Sequence, residues 1–136
     1  AVACARDNLA AGEVHLGDGY DALPGRLRGR VAVLAANAPY VPEDEVARMP
    51  PEARLHEPAV ALSGGADGLA VQRLVVAGAR DWLRPGGVML VETGRPQASL
   101  TAGLMEGVGL ATTLHTDPAV GGCVVAGRDL RRVERA

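Results

Sequence analysis

The sequence predicts an α/β fold built on an open, largely parallel sheet. Two apolar runs, Val31–Ala36 and residues 88–92, have the unbroken hydrophobic character of buried parallel strands. The apolar spacing of residues 68–83 predicts a helix between them, with Asp67 as its N-cap. A strand, a helix and a second strand in this order are typical of an α/β sheet covered by helices. With no internal repeat and no linker, residues 1–136 are predicted to form a single domain.

The same patterns predict the remaining elements. The helix over 68–83 is expected to turn Leu69, Leu74, Val75 and Trp82 inward. Before the first apolar run the patterns predict an amphipathic helix over 1–11, with Val2, Ala5 and Leu9 on one face, and a short strand over 13–16. Further along they predict a short helix over 42–48 with an acidic first turn, a long irregular segment over 51–68 and a turn over 84–87. The last predictions are a helix over 97–108, an antiparallel pair of strands over 110–115 and 123–127, and a frayed, charged tail over 128–136.

The composition excludes several classes of function. The chain has 136 residues and a formal net charge of −2, so nothing favours binding to a nucleic-acid backbone. No apolar run approaches the roughly 18–20 residues that span a bilayer, and no signal-peptide pattern is present. Cys4 and Cys123 lie far apart with no CxxC motif, which predicts reduced thiols in a cytoplasmic protein.

A polar loop follows the first apolar run and is the best candidate for an active site. The stretch from Asn37 to Pro42 cannot continue the strand, because Pro39 and Pro42 lack N–H donors and hold the residues before them extended. It carries one amide side chain, Asn37, and one aromatic ring, Tyr40. Ligands of open α/β sheets bind beyond the carboxyl ends of the strands, which is where this loop is expected to lie.

Several motifs of the chain resemble those of a known family. Asn37-Ala38-Pro39-Tyr40 is similar to the Asn-Pro-Pro-Tyr signature of S-adenosylmethionine-dependent amino-methyltransferases. The resemblance extends through nearly the whole chain, in Glu57-Pro58, Ala61-Leu62, Gly64-Gly65-Ala66-Asp67-Gly68-Leu69, Leu83-Arg84-Pro85-Gly86-Gly87, Glu92 and Gln97. Together these motifs resemble the HemK/PrmC family of protein N5-glutamine methyltransferases. This resemblance implies the C-terminal part of a Rossmann-like class I methyltransferase domain, with the N-terminal strands and the glycine-rich turn missing from this chain.

The resemblance also implies a reaction and its residues. The family methylates the glutamine of the Gly-Gly-Gln loop of peptide release factors, a protein substrate, with S-adenosylmethionine as cofactor. Asn37 Oδ1 and the carbonyl of Ala38 would hold the acceptor amide, Pro39 would restrain Ala38, and Tyr40 would pack on the flat amide and exclude water. The adenine would lie against Asp18 and Gly19, with Asn37 also near the cofactor. Ala38 replaces the first proline of the signature, and a slightly looser loop is expected.

Other interpretations stay open at this stage. The chain could be an incomplete, non-catalytic methyltransferase-like module, or an amino-methyltransferase acting on nucleic-acid adenine, which the net charge disfavours. The three histidines have no metal-ligand spacing, so no metal site is expected. The segment over 51–68 is expected to act as a flap over the acceptor. An exposed apolar edge along Val31–Ala36 predicts self-association or pairing with the missing N-terminal segment.

Overall fold

The described part of the chain, residues 2–52 and 58–132 of a computed structural model, alternates helices with strands. The named elements, in chain order, are α1 (Val2–Asn8), β1 (Val31–Ala36), α2 (Glu43–Val46), α3 (Ala59–Leu62), α4 (Ala70–Trp82), β2 (Leu83–Glu92), α5 (Ala98–Gly107), β3 (Leu110–Asp117) and β4 (Gly122–Asp129), with short 3-10 helices over Gly19–Ala22, Gly25–Leu27 and Arg95–Gln97. None of the described helices is long and apolar enough to cross a membrane.

Four strands form one mixed sheet in the order β1-β2-β4-β3. β1 runs parallel to β2, with Val33 opposite Val88 and Ala36 opposite Val91. β4 is antiparallel to both of its neighbours, β2 and β3. The predicted parallel pair and the predicted antiparallel pair at the end of the chain are therefore both confirmed, and the bounds of β1 match the prediction.

The turn predicted over residues 84–87 is wrong, because these residues lie inside β2 as a bulge. Val31 pairs with Leu83, whereas Val33, two residues later, pairs with Val88. A Cβ on Gly87 would lie 2.9 Å from the carbonyl oxygens of both Val31 and Arg84, so only glycine fits there. The extra residues let β2 begin directly after α4.

The hydrophobic core lies between the sheet and the two long helices, α4 and α5. The side chains buried along α4 are Gln72, Val76, Ala79 and Trp82, which share one helical face. Leu69, just before the helix, is also buried, whereas Leu74 is 74% exposed and was wrongly expected to point inward. The other core members come from β2, α5, β3 and β4: Leu83, Met89, Val91, Ala98, Met105, Leu110, Cys123 and Val125.

The predictions for the N-terminal region fail in part. α1 ends at Asn8 and has no buried residue, so the apolar face predicted for it is not packed. Residues 13–16 have no regular secondary structure and belong to no strand, and Leu16 is 80% exposed. A strand needs a neighbour for its backbone hydrogen bonds, and none of the four strands in the described residues pairs with this stretch. β1 is an edge strand with Val33 60% exposed, so the burial predicted from its apolar sequence is wrong, whereas the exposed apolar edge predicted along Val31–Ala36 is confirmed.

Three further boundaries differ from the predictions. The segment over 51–68 is not irregular throughout, because it contains α3 and the bridge between Ser63 and Val41; residues 53–57 lie outside the described residues. Asp67 is not the N-cap, since α4 begins at Ala70 and the Asp67 carboxyl instead accepts a hydrogen bond from the Leu69 amide at 3.1 Å. The tail is not frayed from residue 128, because β4 runs to Asp129, which is buried and paired with Arg131; residues 133–136 are outside the described part.

Candidate active site

The loop at the carboxyl end of β1 presents the residues of the sequence motif. Asn37 follows the last strand residue and is exposed, whereas Ala38 is only 5% exposed. Pro39 and Tyr40 are half-buried. Because a proline holds the residue before it extended, the chain leaves the sheet in an extended path that turns the small Ala38 inward and leaves Asn37 at the surface.

A cavity of about 230 Å³ lies against this loop. It is lined by Asn37, Ala38, Pro39, Tyr40, Val41, Met49, Ala61 and Leu62. Within the described residues, neither the side-chain amide of Asn37 nor the carbonyl of Ala38 has a hydrogen-bond partner. The loop therefore offers two unused carbonyl oxygens near a small, half-enclosed space. Two of the lining residues, Ala61 and Leu62, come from the segment predicted to be a flap.

The hydroxyl and the backbone carbonyl of Tyr40 each form a hydrogen bond with a residue at the end of β2 or just after it. Its hydroxyl donates a hydrogen bond to Glu92 Oε1 at 3.3 Å. Its backbone carbonyl accepts a hydrogen bond from Gln97 Nε2 at 2.9 Å. Burial of the ring, and then the charge and hydrogen bond of Glu92, raise the pKa of Tyr40 above its usual value. The phenol is therefore neutral at physiological pH and serves as a donor.

The glycine-rich segment 64–68 packs directly on the motif loop. Gln97 Nε2 donates its second hydrogen bond to the Asp67 carbonyl at 2.9 Å, so one side chain joins both segments. Gly68 has a φ of +73°, and a Cβ there would come within 2.3 Å of the Tyr40 carbonyl oxygen and 2.1 Å of Gln97 Nε2. Only glycine allows this approach. Asp67 is itself fixed by Arg73, whose guanidinium hydrogen bond, with the Leu69 amide, lowers the pKa of Asp67 to about 2.

A ring of three buried hydrogen bonds supports this arrangement from below. Gln72 Nε2 donates to Thr93 Oγ1 at 3.2 Å, Thr93 and Thr101 share a bond of 3.1 Å, and Thr101 donates to Gln72 Oε1 at 2.7 Å. The three side chains come from α4, the end of β2 and α5, and all are buried. The ring satisfies each of these buried polar groups and fixes the connection that carries Gln97.

The loop proposed to hold the cofactor is anchored to α4 by aromatic stacking. Tyr20 stacks on Trp82 with ring centroids 5.6 Å apart and an interplanar angle of 9°, and its hydroxyl donates to the Val75 carbonyl at 2.7 Å. The Arg28 guanidinium lies 4.9 Å from the Trp82 ring centroid on this cluster. Burial raises the pKa of Tyr20 to about 12. These contacts fix the Gly19–Ala22 turn beside the sheet.

Two cavities adjoin the Gly19–Ala22 turn, and the residues predicted to bind the cofactor do not all line the same one. Gly19 lines both cavities. The first, of about 400 Å³, reaches Ala35 and Ala36 at the end of β1, next to the motif loop. Asp18 lines the second, of about 300 Å³, with the outer face of α4. The structure therefore brings Gly19 close to the motif strand but does not place Asp18 and Asn37 around one common cavity.

The two cavities at residues 18–19 offer different surfaces to a ligand, because the first is mostly apolar and only the second is lined by Asp18. The first cavity is lined by aliphatic side chains and Tyr20, and Gly19 has a φ of +51° with open space around the position of a Cβ. The Asp18 carboxyl makes no capping hydrogen bond to the turn that follows, so it can accept one from a ligand. Among the described residues, no cluster of three or more His, Cys, Asp or Glu side chains could hold a metal ion.

Sequence reasoning did not assign roles to several residues that the structure places at this site. Glu92 and Gln97 entered only as part of the family resemblance, and the contact of Gly68 with the loop was not foreseen. One signal was available, because Glu92 is a charged residue at the end of an apolar strand whose parallel neighbour ends at the motif. The polar ring of Gln72, Thr93 and Thr101 left no such signal.

The fold and the loop together define a class of protein. A sheet with a parallel β1-β2 pair, a terminal antiparallel strand pair, covering helices and an Asn-x-Pro-Tyr loop at the end of β1 is consistent with the C-terminal part of a class I methyltransferase. The motif residues and the glycine-rich segment, which are more than 20 positions apart in sequence, meet in this structure at Tyr40.

Comparison with known proteins identifies the family, although no family model matches the chain. The release factor glutamine methyltransferase of Cereibacter sphaeroides is 44% identical in an alignment of 117 positions that covers 82% of this chain and 41% of that protein. The release factor glutamine methyltransferase of Synechocystis is 36% identical in an alignment of 141 positions that covers 99% of this chain and 44% of that protein. A ribosomal protein uL3 glutamine methyltransferase of Burkholderia pseudomallei is 44% identical over 86 residues, 62% of this chain and 28% of that protein.

The chain belongs to the HemK/PrmC-like family of protein glutamine methyltransferases. It spans 41% to 44% of the length of the first two relatives. The names of the relatives imply a methyl donor.

Proposed function

We propose that the protein transfers a methyl group from S-adenosylmethionine to the side-chain amide nitrogen of a glutamine in a protein substrate. One observation carries this proposal: the amide of Asn37, which has no hydrogen-bond partner among the described residues, lies at the end of β1 against a cavity that Tyr40 also lines. The names of the relatives support glutamine as the acceptor. Residues 1–136 would then form part of one catalytic domain.

The proposed site solves a specific chemical problem. An amide nitrogen is a poor nucleophile because its lone pair is delocalised into the carbonyl. Two acceptors, Asn37 Oδ1 and the Ala38 carbonyl, would hold its two N–H bonds and direct the lone pair at the methyl carbon. Pro39 keeps Ala38 extended, and the ring of Tyr40 would cover the flat amide and exclude water. Positioning of this kind is worth several kcal/mol.

The balance of the reaction requires no strong base in the loop. In the proposed transfer the nitrogen lone pair would form the new N–C bond as the C–S bond of the donor breaks, and sulfur would keep its electron pair. Bound S-adenosylmethionine supplies a methyl group activated by its positive sulfur, with S-adenosylhomocysteine as the product. The proton leaves nitrogen for water after transfer. Asp18 and Gly19 would hold the adenine by accepting from its amine and donating from the backbone, and Asn37 would contact both cofactor and acceptor.

We propose a peptide release factor as the substrate, because relatives that match 82% and 99% of this chain are named release factor glutamine methyltransferases. The uL3 relative makes a ribosomal protein the competing substrate to test. Cys4 and Cys123 are both free thiols, which supports a reducing compartment, the cytoplasm.

The decisive experiment replaces Asn37 in the full-length product of the gene. Asn37→Ala is expected to lower kcat by about 100-fold or more, because the acceptor loses one of its two orienting partners. Methyl transfer to purified release factor and to uL3 is followed with a radiolabelled methyl donor, and cofactor affinity by isothermal titration calorimetry.

The matched control is Asn8→Ala, since Asn8 is the other asparagine of the chain and lies in α1. Cofactor affinity is expected to be unchanged in Asn8→Ala and to fall much less than kcat in Asn37→Ala, which loses one contact with the cofactor but keeps those of Asp18 and Gly19. Full turnover by Asn37→Ala would contradict the assignment, and methylation of uL3 alone would change the proposed substrate.

A further inference from the structure

We propose that Gln97 is a positioning residue for the acceptor loop, an inference that rests on the proposed function. Both protons of its side-chain amide are used, one on the Tyr40 carbonyl and one on the Asp67 carbonyl, each at 2.9 Å. No other residue type of this length offers two donors from one planar, uncharged nitrogen. Gln97 therefore clamps the loop that carries Asn37 to the glycine-rich segment.

The space around Gln97 is shaped for this side chain. A Cβ on Gly68 would collide with its nitrogen, and a Cβ on Gly94 would lie 2.6 Å from its Oε1 atom. The clamp thus needs glycine on both sides. Larger residues at either position would force the amide out of the plane that reaches both carbonyls.

The backbone of Gln97 is fixed independently of the clamp. Its amide donates to the Gly94 carbonyl at 3.0 Å, and its carbonyl lies 3.2 Å from the Thr101 hydroxyl of the buried polar ring. The side chain therefore extends from a rigid base at the start of α5. With Glu92 holding the hydroxyl of Tyr40, this base fixes the tyrosine from both ends.

The consequence for catalysis follows from the covalent geometry of the loop. Tyr40 is three residues from Asn37, with Pro39 and Ala38 between them. A fixed Tyr40 carbonyl leaves the intervening peptides few ways to rotate, because Pro39 has a fixed φ and Ala38 is held extended. Gln97 does not touch the substrate in this proposal; it acts through the orientation of Tyr40 and of the two acceptors.

The test uses a graded pair of variants, Gln97→Ala and Gln97→Glu, in the full-length protein. Alanine removes both donors, and glutamate keeps the shape but turns an oxygen towards two carbonyl oxygens. We expect kcat/KM of Gln97→Ala to be about tenfold or more below that of wild type, and kcat/KM of Gln97→Glu to be lower still. The KM for the protein substrate is expected to rise and kcat to fall, while the Kd for S-adenosylmethionine changes less than about twofold.

A second measurement does not depend on turnover. The amides of Val41 and Gly64 form hydrogen bonds that join the clamped loop to the segment after α3. Their hydrogen exchange is expected to become about tenfold faster in Gln97→Glu and to stay unchanged in the control Ser99→Ala, an exposed neighbour in α5.

The two measurements separate the inference from the proposed function. If hydrogen exchange is faster in Gln97→Glu but the wild-type protein methylates no glutamine, the proposed function is refuted and the clamp remains supported. Wild-type rates in Gln97→Glu, or unchanged exchange at Val41 and Gly64, would overturn the positioning role. A fall in cofactor affinity equal to the fall in kcat/KM would overturn it as well, because it would show a general structural effect.

Discussion

Tyr40 and Tyr20 occupy corresponding roles at the two halves of the candidate site. Each is half-buried, and each donates its hydroxyl hydrogen bond across the structure, Tyr40 to Glu92 and Tyr20 to the Val75 carbonyl. Each ring fixes the loop to which it belongs. Because burial disfavours the phenolate, both tyrosines have raised pKa values, that of Tyr20 about 12.

These tyrosines make the stability of the chain sensitive to alkaline pH. A raised pKa in the folded state means that the unfolded state loses its phenol proton first, near pH 10, so stability falls as pH rises from about 10 to 12. All 14 basic residues are arginine, so no lysine titrates in this window. Urea midpoints measured between pH 8 and 12 are expected to fall less steeply in Tyr20→Phe than in wild type.

A direct titration checks the same prediction. Absorbance of the phenolate at alkaline pH is expected to show two tyrosines with midpoints above the ordinary value, and the higher one is expected to vanish in Tyr20→Phe. A midpoint at the value of a free tyrosine for Tyr20 would contradict the stacking on Trp82 described here.

Residue-level prediction succeeded where a motif stands next to a clear structural signal. Asn37 and Tyr40 were placed correctly at the end of a strand, because two prolines mark the point where the strand must stop. The roles of Gln97 and Gly68 were beyond such reasoning. Their contacts with Tyr40 join positions 57 and 28 residues apart, and no local pattern records which distant carbonyl a side chain will meet.

At the scale of elements, periodicity predicted the strands and helices that pack against something. β1, α5 and the β3-β4 pair were found close to their predicted bounds, because each buries a face or forms a full ladder of hydrogen bonds. The predicted strand over 13–16 failed because pairing requires a neighbour that the pattern alone does not supply. The prediction of a turn over 84–87 is wrong because glycine and proline occur in β-bulges as well as in turns.

The polar ring joins three elements, and its loss has a predictable cost. Thr101→Val keeps the volume but removes the hydroxyl, which leaves the buried Gln72 carbonyl oxygen without a donor. The free energy of unfolding is expected to fall by about 1–3 kcal/mol. Urea denaturation of the purified protein measures this change.

Thr101→Ser provides the matched comparison, because it keeps the hydroxyl and removes only a methyl group. It is expected to cost about 0.5–1.5 kcal/mol, as for other buried methyl deletions. Equal stability of Thr101→Val and wild type would show that the ring contributes nothing.

At the scale of the whole molecule, the two edges of the sheet differ in character. β1 exposes an uncharged apolar sequence beside the cavity of about 400 Å³, with Val33 prominent on its surface. β3, at the other edge, carries three threonines, His115 and Asp117. An exposed apolar edge is a site for pairing with another strand, and polar or charged residues oppose it.

We therefore expect the 136-residue chain to self-associate through β1 or to pair there with a strand from outside residues 1–136. Light scattering is expected to show a mass above that of the monomer, and Val33→Arg is expected to reduce it. Leu114→Arg, the matched change on the exposed part of β3, is expected to leave the mass unchanged. A monomer in wild type, or equal effects of the two changes, would contradict this expectation.

The bridge between Val41 and Ser63 joins the two ends of the segment beside the candidate active site. The amide of Val41 donates to the Leu62 carbonyl at 3.3 Å, and the Gly64 amide donates to the Val41 carbonyl at 2.9 Å, so the two ends of this segment are held together. Lengthening a loop whose ends are tied costs only about 0.6 kcal/mol for each doubling. Sequence between these two residues can therefore be inserted, deleted or exchanged, and the lining of the adjacent cavity changed, while the loop that carries Asn37 keeps its position.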